Sequence, residues 1–194
     1  MEIGATKAVQ DRLKATKIEE SKGASLVFCW DTHLTKIKGR NVLFIVNASN
    51  RYTITMTDIE PRNWNYYTMY IRSVIHGVMQ EMGYSEDQIG QYFKMSGDTT
   101  VTKTHGRKSV GGINRMVMDA QYFGKKLEKE AKYQWELSEY LNRDICQPEG
   151  FDAYGYPSEL FKLDMERLGI ATKRKPAKVI DIAQYIENNR GTND

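Results

Sequence analysis

The stretch from Ser25 to Thr57 limits the fold most, because it reads as three consecutive β-strands joined by two short polar turns. Val42-Leu43-Phe44-Ile45-Val46 is an unbroken apolar run between Gly39-Arg40-Asn41 and Asn47-Ala48-Ser49-Asn50, the pattern of a central strand buried on both faces. Tyr52, Ile54 and Met56 alternate with Arg51, Thr53, Thr55 and Thr57, a period of two that predicts a strand with one wet face. The first strand, Leu26 to about Ile37, begins apolar on both faces and then opens to Asp31, Thr32 and His33. Such a meander has to be covered by helices, and the rest of the chain supplies helical patterns.

Thr6 starts a short helix to about Leu13, and Lys14 to Gly23 reads as a charged connector. Pro61 or Asn63 opens a helix to Met82 with Tyr67, Tyr70, Ile71, Val74, Ile75 and Val78 in its apolar stripe. Ser85 and Gln88 form a capping-box pair for a helix to about Met95. Thr99 to Thr104 is threonine-rich and predicts a fourth strand on the meander's sheet. Val110 to Phe123 keeps helical spacing despite Gly111-Gly112, and Tyr133 to Ile145 forms another stripe. Lys125 to Lys132 is read either as solvated helix or as a hinge. Pro157 begins a helix ended by Gly169, and Pro176 begins a last one. The expected architecture is an α/β fold of the α+β kind. It has one domain over residues 1–168, a mainly antiparallel sheet and a helical extension over 169–194.

With 194 residues and 40% hydrophobic content, the chain can bury a core. Its apolar runs fall far short of the roughly 20 residues of a membrane helix, and Glu2 stands where a leader would be apolar. The expectation is a cytoplasmic protein with no membrane partner. Cys29 and Cys146 lack close spacing, which favours reduced thiols and leaves a disulfide between them open.

The net charge of +3 is unevenly spread. Thr32 to Thr57 holds Lys36, Lys38, Arg40 and Arg51 with no acid; Thr99 to Met118 holds Lys103, Arg107, Lys108 and Arg115 with none. Outside these windows 20 Lys/Arg face 25 Asp/Glu, so the chain is two-faced if the windows adjoin. Gly106-Arg107-Lys108-Ser109 resembles a phosphate-binding loop, but Arg107 interrupts the glycine-lysine-serine triplet and Val101 replaces the leading glycine. What survives is an anion site at a helix start, against the plainer alternative of a capped helix with two solvated cations. His33, His76 and His105 share no metal-ligand spacing, so neither metal nor cofactor is expected. His105, between Lys103 and Arg107, is a candidate acid or base for a phosphodiester. Trp64 and Tyr66 are candidates for base stacking or interface anchoring, against ordinary core packing.

Several blocks resemble a family of bacterial and phage domains of unknown function. They are Ala5-Thr6-Lys7, Leu26 to Leu34 with Trp30 and His33, Asn41 to Asn47 with Arg51 and Tyr52, Val101 to Thr104, Arg107, Ser109-Val110, Ile113-Asn114, Leu141-Asn142-Arg143 and Tyr156 to Leu160. The resemblance implies no catalytic residues. It implies a mobile-element setting, in which small proteins often inhibit host defence, anti-CRISPR proteins among them. The expected function is therefore a non-enzymatic protein that binds a protein or nucleoprotein complex through a basic face. That face comprises Lys36, Lys38, Arg40, Arg51, Lys103, His105, Arg107 and Lys108. The alternatives are a DNA- or RNA-binding protein and a metal- or His-dependent phosphodiesterase.

Overall fold

The computed structural model describes residues 1–15 and 18–172. The helix expected after Pro176 lies outside the described residues. The meander is present as β2 (Cys29–Ile37), β3 (Arg40–Asn47) and β4 (Thr53–Thr57), with both pairings antiparallel. Ile37 pairs with Arg40, so the β2–β3 turn has two residues, Lys38 and Gly39, both at positive φ (49° and 83°). That is the backbone of a type I′ hairpin, whose twist matches the strands. Leu26–Phe28 is not strand but a single 3-10 turn leading into β2.

The largest departure from the sequence reading is at the N-terminus. Glu2–Ala5 forms a strand, β1, which lies inside a five-stranded sheet of order β4-β3-β2-β1-β5, where β5 is Thr100–Thr102. β1 runs parallel to both neighbours, so the sheet is mixed, and the threonine-rich strand joins it through β1 instead of the meander. Four residues are too few to show a strand period. Their burial on both sides of the sheet is a tertiary fact.

Each face of the sheet carries helices. On one face Ile3, Trp30, Leu43, Ile45 and Ile54 meet α1 (Lys7–Arg12), α2 (Pro61–Asn65), α3 (Tyr67–Glu81), α4 (Glu86–Ser96) and α7 (Pro157–Arg167) through Val9, Trp64, Ile71, Ile75, Ile89 and Phe161. The predicted Pro61–Met82 helix is thus two, broken at Tyr66, whose φ and ψ (−115°, 41°) leave the helical region. The Ser85–Gln88 capping box is formed in both directions. On the other face Ile37, Val42, Phe44 and Val46 meet α5 (Arg107–Tyr122) and α6 (Trp135–Asn142) through Ile113, Met116, Ala120, Leu137 and Leu141. The charge-rich run after α5 is loop, and its end covers the edge strand. Lys132 and Gln134 exchange backbone hydrogen bonds with Thr57 and Thr55. Asn142 takes the Thr53 amide at 2.8 Å and returns a hydrogen bond to the Thr53 carbonyl at 2.7 Å. A side-chain amide here replaces a neighbouring strand and blocks edge-to-edge pairing.

Because β1 is interior, Ile3→Ala should lower unfolding free energy by about 2–5 kcal/mol, whereas Ile145→Ala, at an exposed position, should change it by less than about 0.5 kcal/mol. Urea denaturation of both variants checks this; equal effects would mean that β1 is not part of the cooperative core.

Candidate functional site

The parallel register of β1 and β2 sets Glu2 opposite Cys29 and Gly4 opposite Asp31. Alternation along a strand puts Glu2, Cys29 and Asp31 on one face, beside the apolar patch under α5. The turn after β5 carries His105 over them, and α5 begins two residues later. His105 lies between two carboxylates: Nδ1 is 2.7 Å from Asp31 Oδ1 and Nε2 is 3.0 Å from Glu2 Oε2. The His105 amide donates to both Asp31 oxygens at 3.2 Å, and the Ser109 hydroxyl donates to Oδ2. Glu2 in turn accepts from Ser21 Oγ at 2.6 Å and the Lys22 amide at 2.8 Å. The side chains of His105, Glu2 and Asp31 are 3%, 5% and 0% exposed. Gly4 is required, since a Cβ there would stand 1.8 Å from Asp31 Oδ1.

These contacts set the protonation states. Burial alone would lower the His105 pKa, but the Asp31 carboxylate, with Cys29, outweighs it and raises it to about 10. Burial likewise works against charge on Glu2, but hydrogen bonds from Ser21, His105 and the Lys22 amide hold its carboxyl below the ordinary range. At neutral pH the centre is an imidazolium between two acids. Glu2, Cys29 and His105 also place one donor atom each within 4.8 Å of one another, a spacing able to hold a metal ion.

A second constellation meets the same helix. Asn47 Oδ1 accepts from the Ser49 and Asn50 amides, and Asn50 Oδ1 accepts from the Tyr52 amide, which folds the β3–β4 turn tightly. The turn holds Arg51 at φ 63° and lays its guanidinium on α5 at Gly112, where a Cβ would stand 2.7 Å from Nε. That close approach accounts for one of the two glycines in mid-helix. Val46, Asn47, Ala48, Arg51, Lys108, Ser109, Pro148 and Glu149 line a small crevice there.

Residues 2–160 match the model of a family described as a domain of unknown function, DUF6933. The chain belongs to that family. No curated protein and no solved structure matches it. The family region takes in the whole sheet, α1 to α6 and the start of α7, and so the entire buried centre and the Arg51 turn.

Within this region the predicted basic residues are spread out. Lys38 caps the end of α5 through the Phe123 and Lys125 carbonyls, and Arg40 pairs with Asp58. Arg107 and Lys108 lie at the other end of the sixteen-residue α5, about 24 Å away at 1.5 Å per residue. Arg51 and Lys108 do come together at the crevice. Acids from outside the two windows neutralise several cations: Glu20 meets Lys103, Glu149 lies 3.8 Å from Lys108 and Asp119 lies 3.0 Å from Arg115. Lys36 is exposed on β2. Trp64 is buried, stacked on Tyr67 with ring centres 5.5 Å apart, so its faces are not open to a base, whereas Tyr66 is exposed. His105 is internal instead of part of a basic surface. Both cysteines are buried free thiols. Glu2, Cys29 and Asp31 were not legible as site residues, the only signal being an Asp after the apolar run Leu26 to Trp30; Ser109 was legible only as part of the Gly106 to Ser109 loop, not as a donor to Asp31.

Since the His105 pKa is raised on folding, its stabilising contribution is complete below the unfolded value near 6.5 and is lost as pH rises toward about 10. Glu2 works in the opposite sense and loses its contribution only as pH falls below the ordinary carboxylate range. The wild-type stability should therefore fall relative to His105→Gln between about pH 6.5 and pH 10. Denaturation midpoints of the two proteins across that range check it, and parallel curves would remove the charge from His105.

Proposed function

We propose that the chain is a non-catalytic binding protein that recognises a protein partner through the outward stripe of α5 and the adjoining end of α6. The observation that carries this reading is the exposure of large apolar side chains among paired charges. Gly111, Arg115, Met118 and Tyr122 recur along the exposed side of α5, with Met118 60% and Tyr122 80% exposed. Tyr140 of α6 is exposed as well, and with Arg115 and Asp119 of α5 and Leu141, Arg143 and Asp144 it lines a cleft of about 290 Å³. Tyr, Met and Arg are the residue types enriched at the centres of protein interfaces. Arg115 pairs with Asp119 and Arg143 with Glu139, an alternation of sign that suits a protein surface better than a phosphate backbone. Inhibition of a nucleoprotein defence complex is one form such docking could take.

A catalytic role for His105 is disfavoured, because both ring nitrogens face carboxylates and the side chain is almost wholly buried. Direct nucleic-acid binding is the second reading. It is favoured by Arg51, Arg107 and Lys108 near the start of α5, where the first two have no ion pair among the described residues.

The test pairs Met118→Glu/Tyr122→Ala with Arg51→Glu/Arg107→Glu, each checked for an unchanged melting temperature. Partner proteins recovered from the native host should be lost by at least about tenfold with the first variant, as expected for anchor residues, and should be little affected by salt. Binding of single-stranded or duplex nucleic acid that falls steeply with salt, by a log-log slope of roughly −0.7 to −0.9 per phosphate contact, and is lost only in the second variant would overturn the proposal.

A further inference from the structure

We propose that Glu2, Cys29 and His105 form a zinc site, with Asp31 as the residue that orients His105 toward the ion. This departs from the absence of a metal expected from the sequence, and it is independent of the binding reading, since the site lies beneath the start of α5 and not on its outer stripe.

The donor set comes first. One carboxylate oxygen, Cys29 Sγ and one imidazole nitrogen lie within 4.8 Å of one another. A tetrahedral ion with bonds of about 2.0–2.1 Å to nitrogen and oxygen requires ligand atoms about 3.3 Å apart, and His105 Nε2 already lies 3.0 Å from Glu2 Oε2. The fold supplies this proximity rigidly, because Glu2 and Cys29 are register partners on adjacent parallel strands. A mixed thiolate, imidazole and carboxylate set suits zinc and is unsuited to calcium or magnesium, which take oxygen ligands.

The surroundings fit as well. Metal-bound histidines usually donate their other N–H to a carboxylate, which fixes the ring. Asp31 stands 2.7 Å from His105 Nδ1 and is itself held by Ser109 and the His105 amide. Glu2 is steadied by Ser21 and the Lys22 amide. Three protein ligands leave the fourth tetrahedral position to a small ligand such as water.

The full chain, stripped with a chelator, is titrated with zinc by calorimetry and with cobalt(II) by absorption. The expected results are one equivalent bound at sub-micromolar affinity, a raised melting temperature, and a near-ultraviolet thiolate-to-cobalt band. Cys29→Ser should abolish the band, Cys146→Ser should keep it, and Asp31→Asn should weaken zinc binding by about 10–100-fold with the band retained. The wild-type cobalt spectrum decides the question even if a variant fails to fold. No saturable uptake at micromolar zinc, uptake without a thiolate band, or a band that Cys146→Ser removes would each overturn the proposal.

Discussion

A buried pair of acids, Glu2 and Asp31, is the constraint around which the rest of this structure is arranged. Two carboxylates out of water cost several kcal/mol each unless charge and hydrogen bonds meet them. Here one imidazole meets both, assisted by Ser21, Ser109 and two backbone amides. The groups involved come from β1, β2, the connector before β2 and the β5–α5 turn. The requirement to satisfy the acids therefore ties the N-terminal strand to the meander and fixes where α5 begins. Gly4 is part of the same arrangement, because only hydrogen leaves room for Asp31 across the register.

From that starting point α5 crosses the meander and has two very different sides. Its inner side packs Ile113, Met116 and Ala120 on Phe44 and Val46, and at Gly112 it accepts the Arg51 guanidinium from the β3–β4 turn. Its outer side exposes Met118 and Tyr122, and Arg115 and Asp119 share a cleft with Tyr140 of α6. The inner side is settled by packing within the chain. Met118 and Tyr122 on the outer side are largely exposed, which is why the proposed docking surface is assigned to that side.

The centre under α5 and the surface over it use the same helix for different purposes. Without a metal His105 bridges the two buried acids through both ring nitrogens; with a metal bound it would be a ligand held by Asp31. Either state leaves the Asp31–His105 contact in place, so the start of α5 would keep its position and the outer surface would be presented unchanged.

The meander, the capping box and the long helices were legible in the sequence because each is a local matter of periodicity or capping, as Val42 to Val46 and Ser85 with Gln88 show. The sequence by itself also determined that the chain belongs with a family of unknown function, through blocks such as Asn47 to Tyr52 and Val101 to Thr104. Tertiary structure alone decided that β1 is interior, because four residues carry too little pattern to reveal burial on both faces. It alone paired cations of the second acid-free window with acids far along the chain, Lys103 with Glu20 and Lys108 with Glu149, since opposite charges attract through space without regard to sequence separation. And it alone brought Glu2, Cys29, Asp31 and His105 together, because residues about 100 positions apart become neighbours only when parallel strands set their register.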